Sequence, residues 1–260
     1  MRFEDKRVVV TGAGSGIGKA VTKLFLEEGA EVIAVQNRSP AEYATTRVTM
    51  SLGDADSIAQ ACEQIPENID ILCNVAGLGA DDGTAEDVIA VNFVGTRLFT
   101  ERLIGRISPG GCLLNFGSTA GRNWRNDIEL IKRILVMKDF SDVAPFWQSL
   151  DLPKQRSYNL AKGAVAVWSM KLAAQHTKTG PRVNVLNPGF TDTPMLQKAL
   201  ATGNEVVIKL AQSNPFTSQP EDVARVALFL CSAEAKAING AELLVDSALV
   251  ATGVCAEYEL

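Results

Sequence analysis

Short runs of apolar residues alternate along this chain with longer stretches in which apolar positions recur every three or four residues. The runs fall at 8–10, 31–35, 47–50, 71–74, 112–116, 182–186 and 242–245, and read as strands. Most of the stretches between them read as helices. The first helix is expected from about Gly16 to Glu28, with Ile17, Val21, Leu24 and Phe25 on one face and Gly29 as its stop. Alternation of this kind predicts β-α-β units wound into a parallel sheet, an α/β fold. No internal repeat, low-complexity tract or Pro/Gly linker interrupts it, so a single domain spanning 1–260 is expected.

Two segments break the rhythm. Residues 122–156 lie between a strand and a helix, and within them DIELIKRILVMKD, at 127–139, has helical apolar periodicity. Residues 191–219 are polar, are punctuated by Pro194 and Pro215, run up to Pro220 and follow a strand end. Ligand-covering loops of open α/β sheets occupy that position.

Composition narrows the function classes. With 260 residues, 47% of them apolar and 21% charged, the chain can bury one sizeable core. A net charge of −5 argues against a nucleic-acid or membrane partner, since either calls for a clustered basic surface. A small-molecule partner is expected instead. The first residues, MRFEDKR, are unlike a signal peptide, and no charge-free apolar stretch approaches the length of a membrane span, so a soluble cytoplasmic protein is expected. Cys62, Cys73, Cys112, Cys231 and Cys255 are odd in number, lack C-x-x-C spacing and lie mostly in apolar stretches; they read as buried, reduced thiols. With one histidine, His176, expected on a helix surface near its C-terminus, no metal site is expected.

Candidate chemistry starts at RVVVTGAGSGIGKA, which reads as strand, glycine-rich turn and helix start. Gly12, Gly16 and Gly18 let the backbone turn tightly and approach a ligand, and a helix N-terminus offers free N–H groups to a pyrophosphate. Later, SYNLAK sets Tyr158 four residues before Lys162, one helical turn. Alone, such spacing also describes a solvated pair on a helix face.

Together, TGAGSGIG, NVAG at 74–77, Asn92 in VNFVG, Ser118 in NFGSTAG, Tyr158-x-x-x-Lys162 and PGFTDTP at 188–194 resemble the short-chain dehydrogenase/reductase family, in its order and over essentially the whole chain. The resemblance implies a Rossmann-type doubly wound sheet, NAD or NADP as cofactor, an alcohol or ketone substrate, and a homodimer or homotetramer. It implies catalytic roles for Asn92, Ser118, Tyr158 and Lys162: serine holding the reacting oxygen, tyrosine moving the proton, lysine also binding ribose, asparagine aiding a relay. It implies cofactor contacts from Gly12, Ser15, Gly16, Ile17 and Gly18, from Gln36, Asn37 and Arg38, and from Ser51 and Leu52. Further contacts are implied for Asn74, Ala76 and Gly77, for Tyr158 and Lys162, and for Pro188, Gly189, Thr191 and Thr193. Lowering a tyrosine pKa from about 10 by some three units requires about 4 kcal/mol of phenolate stabilisation, which a lysine one turn away and a positive nicotinamide ring would share.

The chain also departs from the family's pattern. Gln36 stands where an acidic residue usually holds the adenosine ribose, which leaves NAD and NADP open, and Ser51 stands where an aspartate is common near the adenine. VDSA at 245–248 replaces the usual VDGG. Ser118 and Tyr158 are 40 positions apart, far more than the short connection of most relatives. The additional segment, with Trp124, Phe140, Phe146 and Trp147, is similar in position to insertions of the 3α-hydroxysteroid dehydrogenase/carbonyl reductase and coniferyl alcohol dehydrogenase branch. LCNVAGLG, PENID and ING resemble the same branch. Either the segment covers the substrate and alters the usual helix-pair dimer contact, or its aromatics form a core of their own.

The resulting expectation is an oxidoreductase acting on a steroid-like or phenylpropanoid-like alcohol. The alternative is a nicotinamide-binding redox sensor or scaffold without turnover. A serine hydrolase built on GSTAG is disfavoured, because Phe116 and Ala120 occupy the elbow's glycine positions and only His176, on the tyrosine's own helix, could complete a triad.

Overall fold

The computed structural model describes residues 1–37, 41, 43–177, 179–203, 205–213 and 216–259. Among these residues seven strands, β1 (Arg7–Thr11), β2 (Glu31–Gln36), β3 (Thr46–Thr49), β4 (Ile69–Asn74), β5 (Ile107–Phe116), β6 (Arg182–Pro188) and β7 (Glu242–Val245), form one parallel sheet in the order β3-β2-β1-β4-β5-β6-β7. Chain order reverses between β1 and β4, and in open α/β sheets that reversal leaves a crevice at the strands' C-terminal ends. The helices are α1 (Gly16–Glu27), α2 (Ala55–Glu63), α3 (Ala85–Ile89), α4 (Thr96–Leu103), α5 (Ile128–Leu135), α6 (Val143–Gln148), α7 (Gln155–His176), α8 (Pro194–Ala201), α9 (Glu205–Ser213), α10 (Pro220–Cys231) and α11 (Leu249–Glu257). Among the described residues no helix is long and apolar enough to cross a membrane.

The apolar runs become strands because both faces of the sheet are covered, so successive side chains need partners on opposite sides. Val8 and Val10 face α1 and α10 with Phe25, Leu114 and Leu228. Val9 faces the other way, with Ile33, Leu72, Leu113, Phe93, Leu160 and Trp168. Helix α1 stops where expected, at Gly29 with φ +90°, a conformation that favours glycine. Strand limits shift slightly: β3 starts at Thr46, and β4 and β5 begin upstream of their densest apolar runs. Cys62, Cys73, Cys112 and Cys231 are buried thiols, whereas Cys255, on the exposed face of α11, is not; the expectation of uniformly buried cysteines is corrected there. His176 ends α7, half-exposed, as expected.

The segment at 122–156 neither forms a core of its own nor stands free. Ile131 and Ile134 of α5 are fully buried, and with Met137, Val143 and Phe146 they extend the core on the α7 side of the sheet, against which Trp124, Phe140 and Trp147 also pack. Arg97 of α4 donates to the carbonyls of Leu135 at 3.4 Å and Lys138 at 3.1 Å, placing a cation at the carbonyl end of α5. Asp127 pairs with Arg156 at 2.5 Å, and Trp124 Nε1 donates to Glu242 at 3.0 Å. Gly163 of α7 makes this docking possible, since a Cβ there would lie 3.0 Å from Ile131 Cδ1 and 3.1 Å from Trp124 Cβ.

Candidate active site

The turn from β1 into α1 is shaped by what glycine alone permits. Gly12, at φ +69°, lies so close to Ala76 that a Cβ would stand 2.9 Å from its Cα, and a Cβ on Gly18 would stand 2.2 Å from the Gly12 carbonyl oxygen. The helix therefore starts tight against the turn, and Ser15 at its N-cap makes no side-chain capping bond. Thr11 Oγ1 accepts from the N–H groups of Val75 and Ala76, both at 3.0 Å, tying the end of β1 to the NVAG segment after β4. Tyr43 donates from its hydroxyl to the Ala13 carbonyl and holds the turn from the β2–β3 side.

At the end of β2, Gln36 Oε1 is buried and has no hydrogen-bond partner among the described residues. Asn37 beside it is exposed, and Arg38 lies outside the described residues. A buried acceptor left unsatisfied costs about 1–3 kcal/mol, so one at the end of this strand fits a ligand that donates to it. The glycine cradle, the spare acceptor and a free helix N-terminus together fit a dinucleotide. Ser51 and Leu52 follow β3; Leu52 is buried, and its carbonyl would lie 1.8 Å from a Cβ on Gly95.

Ser118, Tyr158 and Lys162 come together at the C-terminal end of β5. The Ser118 side chain faces the Tyr158 hydroxyl closely enough to act on its ionisation. Lys162 Nζ lies 5.8 Å from the Tyr158 ring centroid and donates to the Phe116 carbonyl at 2.9 Å. Burial pushes the Tyr158 hydroxyl above its ordinary value, with the Ser118 side chain pulling it partway back. Burial also brings Lys162, only 7% exposed, down to about 8. The expected depression of Tyr158 by Lys162 is thus corrected for the protein alone: desolvation of the part-buried phenol is the largest influence, and the influence that opposes it comes from Ser118.

Asn92 sits in a π-helical turn, Ala90–Gly95, between α3 and α4; such widened turns are frequent at functional sites. Its side chain donates to the Leu78 carbonyl at 2.9 Å and accepts from the Leu78 N–H at 2.7 Å, fixing the loop after NVAG. Gly77 leaves the room this needs, because a Cβ would stand 2.8 Å from Asn92 Oδ1 and 3.6 Å from Lys162 Nζ. The Asn74 amide nitrogen is spent inside the sheet, donating to Thr100 at 2.7 Å and Asn115 at 2.8 Å, so a cofactor contact through it does not follow, while Asn74 Oδ1 is buried and has no partner among the described residues.

After β6, Pro188 and Gly189 continue the pairing with β7, and the Gly189 N–H donates to Val245 at 3.0 Å. Thr191 is buried and bridges Ser218, while Thr193 caps α8 and packs its methyl 3.1 Å from where a Gly16 Cβ would stand. Ile17, half-buried on α1, packs toward the core. Sequence reasoning did not single out Tyr43, Asn187 or Asp82. A Cβ on Gly117 would clash with Asn187 Oδ1 at 1.9 Å, so Asn187 shapes the turn into Ser118, yet nothing in the local pattern marks it.

Comparison with known proteins agrees with this geometry. The sequence model of the short chain dehydrogenase family matches residues 6–128, and that of enoyl-(acyl carrier protein) reductase matches residues 148–248. The chain is 33% identical to coniferyl-alcohol dehydrogenase of Pseudomonas sp. (strain HR199 / DSM 7063), over 98% of this chain and 100% of that protein. It is 29% identical to galactitol 2-dehydrogenase (L-tagatose-forming) of Cereibacter sphaeroides, over 94% of this chain and 95% of the relative. Among solved structures, 3-alpha-hydroxysteroid dehydrogenase from Pseudomonas sp. B-0831, complexed with NADH, superposes with a TM-score of 0.83 at 24% identity, over 94% of this chain and 98% of that one. At that identity the likeness shows the fold.

Proposed function

We infer that this chain, which belongs to the short-chain dehydrogenase/reductase family, is an NAD(P)-dependent oxidoreductase that interconverts an alcohol and its carbonyl compound. The observation that carries the reading is the convergence of Ser118, Tyr158 and Lys162 at the end of β5, with Lys162 Nζ 3.6 Å from the Cβ position of Gly77, next to the Ala76 that packs on Gly12. The bound nicotinamide supplies the hydride acceptor or donor and, when oxidised, a positive ring. Ser118 holds the substrate oxygen, and the Tyr158 hydroxyl exchanges a proton with it. Lys162, still largely protonated at neutral pH, favours the phenolate from one turn away. Asn92 positions the loop at Leu78 beside Lys162.

The spare acceptor on Gln36 supports NAD as the cofactor: a ribose hydroxyl can donate to it, whereas a 2′-phosphate offers only oxygens. The likeness to coniferyl-alcohol dehydrogenase supports a ring-bearing or aromatic alcohol as substrate, with the 191–219 segment covering it. Exposed Leu243 and Leu244 on the edge strand β7, followed by α11 with no buried residue, support a homodimer or homotetramer. A redox sensor without turnover finds no support in the relatives.

Fluorescence titration with NADH and with NADPH, on the wild type and Tyr158→Phe, tests the reading. We expect tighter binding of NADH, the same affinity in the variant, and a loss of turnover on aromatic alcohols of about 10²- to 10⁴-fold. Failure of both dinucleotides to bind, or full turnover without the hydroxyl, would sink it.

A further inference from the structure

The strap that follows β6 rests on both banks of the crevice between β1 and β4. On the β1 bank, Thr193 Cγ2 and Pro194 Cδ lie 3.1 Å and 3.9 Å from the Cβ position of Gly16. On the β4 bank, Met195 Cγ lies 3.2 Å from the Cβ position of Gly79, and Lys198 Nζ pairs with Asp82 Oδ1. The other Asp82 oxygen accepts from the Gly79 N–H at 2.8 Å, so the carboxylate is fastened to its own bank. Burial opposes its ionisation, but the Lys198 hydrogen bond and the Gly79 N–H hold Asp82 below the usual carboxylate range, with the charges of Lys198 and Lys154 adding to them. The strap is stiff: Thr193 caps α8 through Leu196 N at 3.3 Å, and Gln197 donates to Asp192 at 2.9 Å. A stiff strap seated on both banks closes the crevice as one piece, and the ion pair is a charged fastening on the far side. Lys198 and Asp82 are separated by 116 positions, and neither belongs to the Ser118–Tyr158–Lys162 group.

We propose that Asp82 and Lys198 are positioning residues that latch this strap, and that opening of their pair admits and releases the dinucleotide. The inference rests on the dehydrogenase reading above. A partly exposed ion pair, with side-chain exposures of 24% and 55%, contributes modestly and is screened by salt, so the latch changes a rate several-fold rather than abolishing it.

The test is stopped-flow release of pre-bound NADH, chased with excess NAD, from the full chain. Lys198→Met and Asp82→Asn are each expected to release about 2- to 5-fold faster than wild type, and the double variant no faster than either. Lys198→Arg should restore the wild-type rate. Added salt should speed release from the wild type and leave Lys198→Met unchanged, a response that a merely structural contact would not give. Wild-type release rates in both single variants, or effects that add in the double variant, would overturn the latch and leave the dehydrogenase reading standing. Absence of NADH binding by the wild type would instead remove that reading, and the latch with it.

Discussion

The two faces of the sheet carry different loads. On one, α1 and α10 form a single layer, each with one apolar side and one side in water. On the other, α7 lies between the sheet and a second layer made by α5, with α6 packed beside α5 on α3, and 12 of its 22 residues are buried, so it is apolar around most of its circumference. The singly covered face needs only an amphipathic pattern. The doubly covered one holds the catalytic helix from both sides, which fixes Tyr158 and Lys162 in place and also desolvates them.

If the outer layer matters in this way, Ile131→Ala should produce the largest effect on stability. The side chain is fully buried between α5 and α7, so its truncation is expected to lower stability by about 2–5 kcal/mol in urea unfolding and to reduce turnover as well. A loss near that of a surface substitution would show that the outer layer is decoration.

A second test reads the desolvation directly. Lys162 has an ordinary value near 10.5 in the unfolded chain and a folded value of about 8, so the unfolded state binds its proton more tightly. That penalty is fully present below pH 8 and is relieved as pH rises from there toward 10.5. Tyr158 is shifted upward and contributes with opposite sign only above its ordinary value, outside most of the window. Relative to Lys162→Met, the wild type should therefore gain about 2 kcal/mol between roughly pH 7 and pH 9.5. A flat difference would mean that Lys162 is solvated and the sandwich looser than described.

The smallest effect is expected across the sheet. Phe229 on α10 is 37% exposed in a single layer, and Phe229→Ala should cost about 1 kcal/mol in the same unfolding assay, with turnover unchanged. A loss matching that of Ile131→Ala would erase the distinction between the faces.

Much of the fold was legible in local pattern, because a strand buried on both faces has to be apolar throughout and Gly12 and Gly18 occupy positions where backbone contact excludes any side chain. The chemistry of Ser118, Tyr158 and Lys162 was legible for a similar reason: a turn of helix and a strand end fix their spacing. The docking of 122–156 was not, since helical periodicity in α5 says that one side is buried but not against what. Arg97, Asn187 and the Asp82–Lys198 pair were equally silent, each acting on a segment remote in sequence.

The sequence by itself determined the strand and helix order, the glycine turn and the one-turn spacing of tyrosine to lysine, because these depend on interactions within a few residues. Only the tertiary structure decided that burial raises Tyr158 and lowers Lys162, that Gln36 keeps a spare acceptor, and that the strap after β6 is fastened to the loop after β4. Desolvation and ion pairing depend on which surfaces meet, and that is settled by packing between elements far apart in the chain.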